Sequence, residues 1–248
     1  MQTSLHGKTI LITGATAGIG FAAAQSLLLQ GAKLVITGRN QTRLNHAVKA
    51  LGEQVIPVLC DSANVEQIQQ MVMQLQHDNI ELDGLILNAG VFYPAPFEQM
   101  SLENFTSTMA VNFNGPALML QALLPCLKNP SSVVFISSVA VLKAFTGAGV
   151  YSASKAAFEG LARVLNSELA PRGIRINSIR PGVTATEIQA KAGMDDGAIS
   201  VFFESLSSTP VGRVLVPDDL IPAINYLISD ASVGLRNAYI DIDGGFGL

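Results

Sequence analysis

The stretch Thr9-Ile10-Leu11-Ile12-Thr13-Gly14-Ala15-Thr16-Ala17-Gly18-Ile19-Gly20 decides how the rest of the chain is read. Its first half is a short apolar run without polar alternation, the mark of a strand buried on both faces. Its second half is glycine-rich, and a helical pattern opens at once behind it. Glycine is required where a backbone bends sharply or must approach a ligand closely. The free N–H groups and positive end of the new helix favour an anion such as a pyrophosphate. A tight turn that binds nothing would use glycine too. The position between first strand and first helix selects the ligand-binding reading.

Outward from this turn, apolar runs of strand length alternate with longer helical segments. The pattern predicts strands at 9–13, 33–37, 55–59, 84–87, 133–137, 175–179 and 239–242. Between them it predicts helices at 19–29, 42–51, 65–77, 102–127, 152–170 and 217–229. Gly31 and Gly52 suit helix stops, and Pro217-Asp218-Asp219 suits a first helical turn. Such alternation predicts an α/β fold of the doubly wound, Rossmann-like kind: a seven-stranded parallel sheet with helices on both faces. Ligands in these sheets bind beyond the carboxyl ends of the strands, so the informative residues follow each strand.

The 248 residues suit one domain, 1–248, and 49% hydrophobic residues supply ample core. A net charge of -4 argues against a nucleic-acid partner. Arg163, Arg172, Arg175 and Arg180 fall close together and read as a solvated helix end and loop. Cys60 and Cys126 sit in unrelated apolar contexts, so two buried thiols and a reducing compartment are expected. Gln2-Thr3-Ser4 leads into a strand without a signal-like segment, and no apolar run approaches the ~18 residues of a membrane span. The expectation is a cytoplasmic protein with no membrane partner.

The residues after the strands carry the chemistry. Ile36-Thr37-Gly38-Arg39 has no acid to accept from adenosine ribose hydroxyls. Arg39 instead suits a 2′-phosphate, with Arg43 as a further candidate, so NADP(H) is expected and NAD is the alternative. Tyr151 and Lys155 are four apart at a helix start and share one face. An ammonium there is expected to lower the phenol pKa towards working pH, fitting it to exchange a proton with a carbonyl or alcohol oxygen. Ser137 and Ser138 close the fifth strand with their side chains on opposite sides, and the hydroxyl of either can bond a strand end or polarise a substrate oxygen.

The G-x-x-x-G-x-G turn, Asn88-Ala89-Gly90 and Tyr151-Ser152-Ala153-Ser154-Lys155 stand in the order of the short-chain dehydrogenase/reductase family, and nearly the whole chain resembles it. The resemblance implies that Gly14, Thr16, Ala17, Gly18, Ile19 and Gly20 cradle a dinucleotide. It places Gly38 and Arg39 at the adenosine, and gives Asp61 to the adenine amino group, where the residues alone allow a helix N-cap equally well. Asn88 would brace neighbouring strands while Ala89 and Gly90 let a cofactor ribose approach, with Leu87 standing where the family often has a second Asn. Asn112, three before Gly115, matches the family asparagine that holds a helix irregularity and a relay water, with Asn114 competing for that role. Pro181, Gly182, Thr184 and Thr186 would lie beside the nicotinamide, where an ordinary side-chain-bonded turn is the plainer reading. The catalytic set implied is Asn112, Ser138, Tyr151 and Lys155, with no metal.

The family's substrate loop falls at 187–210, which carries Ile188, Met194, Ile199, Val201, Phe202, Phe203 and Leu206. No lysine or arginine lies between Gly193 and Pro210, so a hydrophobic carbonyl or alcohol is expected, with Tyr93, Val141 and Phe145 as pocket candidates. The resemblance also implies a homotetramer built on the apolar helical stretches 116–127 and 156–170, although extra core packing explains their apolar faces as well. Three functions compete: an NADP(H)-dependent carbonyl reductase or NAD-dependent alcohol dehydrogenase; a redox-sensing module without turnover; and a fold-sharing isomerase or epimerase. A missing Ser, Tyr or Lys would favour the second, and none is missing. The third belongs to a longer branch with a further substrate domain.

Overall fold

The computed structural model describes residues 5–247, so the polar opening Gln2-Thr3-Ser4 lies outside the described residues. Seven strands, β1 (Thr9–Ile12), β2 (Lys33–Gly38), β3 (Val55–Leu59), β4 (Leu82–Leu87), β5 (Leu127–Ile136), β6 (Arg175–Pro181) and β7 (Tyr239–Ile242), form one sheet in the order β3-β2-β1-β4-β5-β6-β7. Every pairing is parallel. Successive side chains of a strand point to opposite faces, and both faces are buried. Ile10 and Ile12 enter one apolar cluster with helices α1 (Gly18–Leu29), α2 (Gln41–Leu51) and α9 (Ile221–Ile228). Leu11 enters the other, with α3 (Val65–His77), α5 (Gly115–Leu123) and α6 (Gly149–Glu168). Pro57, which has no N–H to donate, is confined to the edge strand β3.

The predicted helix 102–127 is the main departure. It is α4 (Leu102–Met109), a π turn at Ala110–Asn114, α5 and a 3₁₀ turn at Leu124–Cys126, after which Leu127 already opens β5. The kink expected at Gly115-Pro116 is therefore this π turn. It immediately precedes Gly115, which packs against the backbone carbonyl of Ser62 where any Cβ would collide. The predicted loop 187–210 contains α7 (Ile188–Lys191) and α8 (Asp196–Ser205).

Of the four arginines Arg163 is exposed as expected, but the other three are not the solvated group their charge suggested. Arg175 is 5% exposed and donates to the Leu227 and Ser229 carbonyls at the end of α9. Arg172 donates to Asn129 and to the Leu124 and Leu127 carbonyls, and Arg180 pairs with Glu159. Helix-end carbonyls lack intrahelical donors, and a guanidinium supplies several at once. Cys60 and Cys126 are buried free thiols. Among the described residues no helix is long and apolar enough to cross a membrane.

Phe158 of α6 is fully buried against Phe135 of β5, ring centroids 4.2 Å apart. Phe158→Ala is expected to cost about 3–5 kcal/mol through the cavity it leaves, measured as a lowered urea midpoint at unchanged slope.

Candidate active site

Strand order reverses between β1 and its two neighbours, β2 and β4, and a crevice opens there beyond the strand ends. It forms a cavity of about 730 Å³, within the range of small-molecule sites. Its lining includes all the residues expected to touch a dinucleotide except Gly20. Gly14 makes the turn at φ +65°, where a side chain would be strained. Gly20 lies behind the turn. A Cβ there would stand 2.5 Å from Asn88 Nδ2, so it serves packing and does not reach the cavity wall. Asn88 braces the first turn, donating to the Thr13 and Gly14 carbonyls at 3.0 and 3.1 Å. Thr13 Oγ1 in turn accepts from the Asn88 and Ala89 amides.

The residues present fit a dinucleotide. Helix α1 opens towards the cavity with no side-chain cap and no acid in its first turn, so its first N–H groups and positive end are available to a pyrophosphate. Asp61 spends one carboxylate oxygen on the Ala63 amide, and the N-cap of α3 is Asn64. Of the two readings of Asp61, the N-cap is thus excluded. Arg39 is exposed at the cavity margin. Arg43 is already engaged, its guanidinium 2.5 Å from Glu187, which also holds Lys191 at 2.8 Å. These partners, Lys191 first, hold the Glu187 carboxyl below its usual range. Thr184 Oγ1 donates to the Gly182 carbonyl, and its own carbonyl accepts from Gln189. Thr186 Oγ1 accepts from the Ile188 amide, while its methyl lies against Gly18. The side-chain-bonded turn, the alternative reading of this segment, is present, and it walls the cavity as well.

Ser138, Tyr151 and Lys155 share one stretch of the wall. Lys155 is 3% exposed, donates to the Ile136 carbonyl at 2.8 Å and stands 5.8 Å from the Tyr151 ring centroid. Burial pulls its ammonium down from 10.5 to about 8, against an opposing pull from Glu159. The expected lowering of the Tyr151 phenol is not found. Desolvation raises it, and a hydrogen bond with Ser138 offsets only part of the rise. The physical reason is that the phenolate of this half-buried ring loses more hydration than a carbonyl-bound ammonium makes good.

Asn112 sits in the π turn, fully buried, and Asn114 is exposed. It exchanges two hydrogen bonds with the Val91 backbone and donates to Ser154 Oγ at 3.1 Å. Both amide hydrogens are thereby used, and the side chain does not line the cavity. It clamps the loop after β4 to α6. Ser137 Oγ donates to Glu159 at 2.7 Å, turned away from Ser138 as strand alternation predicts.

Tyr93, Phe145, Met194 and Phe202 also wall the cavity, with Phe92 and Phe246 besides, whereas Val141 does not line it. Phe92 meets the Tyr151 ring edge-on at 5.0 Å, and Phe246 stacks on Phe145 at 5.5 Å. Neither Phe92 nor Phe246 was predicted from the sequence, because aromatics beside a loop or a terminal glycine pair carry no periodic signal. Cys60 also lines the cavity, its thiol pushed up to about 11 by burial and then by Asp61, so it is no nucleophile at neutral pH.

A family model described as enoyl-(acyl carrier protein) reductase matches residues 14–247. The D-threitol dehydrogenase of Mycolicibacterium smegmatis is 33% identical over 98% of this chain and 94% of its own length. A tropinone reductase homolog of Arabidopsis thaliana is 34% identical over 98% of this chain and 94% of its own. A 3-ketoacyl-(acyl-carrier-protein) reductase from Brucella melitensis, solved with NADH, superposes with a TM-score of 0.89 at 28% identity, covering 99% of this chain and 100% of that one.

A lysine whose folded pKa is depressed binds its proton less tightly than in the unfolded chain. Between pH 8 and 10.5 the unfolded state therefore holds more protons, and stability contributed at this site rises with pH. Compared with Lys155→Met, the parent protein is expected to gain on the order of 2–3 kcal/mol across that window, read from urea midpoints.

Proposed function

The chain belongs to the short-chain dehydrogenase/reductase family, oxidoreductases of alcohols and carbonyls, and from that premise we propose that it reduces an apolar ketone with NADP(H) as one domain. The observation that carries this is the common wall of Ser138, Tyr151 and Lys155, continuous with the glycine turn. When bound, the nicotinamide supplies the hydride. Ser138 holds the carbonyl oxygen by a hydrogen bond and polarises it. Tyr151, held protonated through neutral pH by burial, gives its phenolic proton to that oxygen as negative charge develops there. Lys155, charged below about pH 8, stabilises the phenolate left behind. Gly14, Ala17 and Gly18 would hold the pyrophosphate, and Pro181 to Thr186 would face the carboxamide.

NADP over NAD is supported by the absence of an acid after β2 and by Arg39 at the margin. Arg39 would carry that recognition alone, because Arg43 is bound to Glu187. An apolar substrate is supported by the aromatic wall. A polyol buried there would leave hydroxyls unpaired at about 1–3 kcal/mol each.

Tyr151→Phe is expected to keep NADPH affinity, read by fluorescence titration, and to lose ~10²–10⁴-fold in ketone reduction. Unchanged turnover would remove Tyr151 as proton donor. Following the absorbance of reduced nicotinamide over a ketone panel, cyclic apolar ketones should outrun polyol-derived ones. Arg39→Ala should weaken NADPH by roughly tenfold and leave NADH unchanged. Equal binding of the two cofactors by the parent protein would overturn the phosphate assignment.

A further inference from the structure

Behind the cavity, one carboxylate gathers three elements that carry the site. Glu159 of α6 is 7% exposed. It accepts from Ser137 Oγ at 2.7 Å and from Arg180 Nε and Nη2 at 2.9 and 2.7 Å. Ser137 adjoins Ser138 at the end of β5. Arg180 adjoins Pro181 and Gly182 at the end of β6. Tyr151, Lys155 and Glu159 follow one another at four-residue steps along one face of α6. Arg180 is braced in turn by Asp241 at 3.6 Å and by the Tyr239 ring at 4.1 Å.

A buried ion pair is weak support for stability, since apolar residues of similar volume often serve as well. The placement of this one gives it another task. We propose that Glu159 is a positioning residue, whose carboxylate fixes the ends of β5 and β6 against α6 and supplies the counter-charge for the Lys155 ammonium. The inference rests on the reading of Lys155 as the cation beside the proton donor.

The groups around that ammonium can be named. From its own helix, Tyr151 and Glu159 face it. From β5 comes the Ile136 carbonyl, and Gly90 and Asn112 close the side of the β4 loop with no charge. From β6 and β7, Arg180 and Asp241 stand beyond Glu159 and are tied to it or to each other. Burial drives Lys155 towards its neutral form, and Glu159 opposes this. Removing that negative charge while keeping the side chain's shape should therefore let the amine deprotonate at lower pH.

The test is the titration of Lys155 itself. The protein, carrying ¹³C at the lysine ε-carbons, is followed by NMR, with the signal assigned by its loss in Lys155→Met. Glu159→Gln keeps the size of the side chain and one acceptor oxygen, while its amide nitrogen gives up one of the two bonds accepted from Arg180. It is expected to lower the Lys155 midpoint by about 1 pH unit, to move the alkaline limb of kcat down in step, and to leave KM for cofactor unchanged. Should Glu159→Gln leave Arg180 too poorly paired to fold, Glu159→Gln with Arg180→Met removes both charges, and a smaller fall in midpoint is expected, because the Arg180 cation that disfavours the ammonium is removed as well. A midpoint that stays put overturns the proposal, however far turnover drops. A midpoint that falls in a protein unable to reduce ketones keeps the counter-charge and overturns the function proposed above.

Discussion

Taking an ammonium out of water costs several kcal/mol unless charge and hydrogen bonds replace the lost hydration. Lys155 is almost completely buried, and much of the surrounding architecture answers that cost. The Ile136 carbonyl takes one N–H, the Phe135 ring faces the charge at 5.0 Å, and Glu159 lies one helical turn along. Each of these groups is packed or hydrogen-bonded. Ile136 ends a central strand, Phe135 is packed on Phe158, and Glu159 is held by Ser137 and Arg180. A cation fixed in this way has a defined distance to the phenol beside it. A surface lysine would lose that definition to side-chain entropy and solvent screening.

The sheet makes the arrangement possible. Parallel strands buried on both faces end together, so the residues after β1, β2, β4, β5 and β6 converge on one crevice although they are far apart in sequence. The π turn adds a local adjustment. Widening one turn carries Asn112 into the interior, where it joins the loop after β4 to α6 through Val91 and Ser154. The glycine turn is fixed from the other side by Asn88 and Thr13. Cofactor turn and proton donor are thus two ends of one hydrogen-bonded frame.

The sheet and most of its helices were legible because burial on both faces writes continuous apolar runs, and glycines punctuate them at Gly31 and Gly52. The long segment 102–127 misled because its apolar periodicity runs unbroken through the π turn and into the 3₁₀ turn before β5. Hydrogen-bond register is invisible to a pattern of side chains. The arginines misled for a related reason, since charge in sequence suggests solvent until the helix-end carbonyls that Arg175 satisfies are known. Tyr151 and Lys155 announced themselves by spacing, and Glu159, at the next step of four, offered the same signal. Phe246 offered none, because what brings it to Phe145 is a terminal turn held by the Asp243 carboxylate on the Gly245 and Gly247 amides.

The raised phenol bears on the direction of the proposed chemistry. A tyrosine whose resting pKa was pulled down to neutrality would spend part of its time as a phenolate, ready to take a proton from an alcohol. Burial here has the opposite effect and keeps the proton in place. The ammonium then contributes little to the resting state. Its interaction grows only as the proton leaves and negative charge appears on the phenolic oxygen, and stabilisation confined to that moment accelerates the step. A phenol that rests protonated is poised to donate to a carbonyl, and the same stabilised transition state serves the reverse step only once the phenol has ionised. In this geometry the desolvation of Tyr151 and the counter-charge behind Lys155 act together: the first holds the proton until it is needed, and the second keeps the cation charged when it goes.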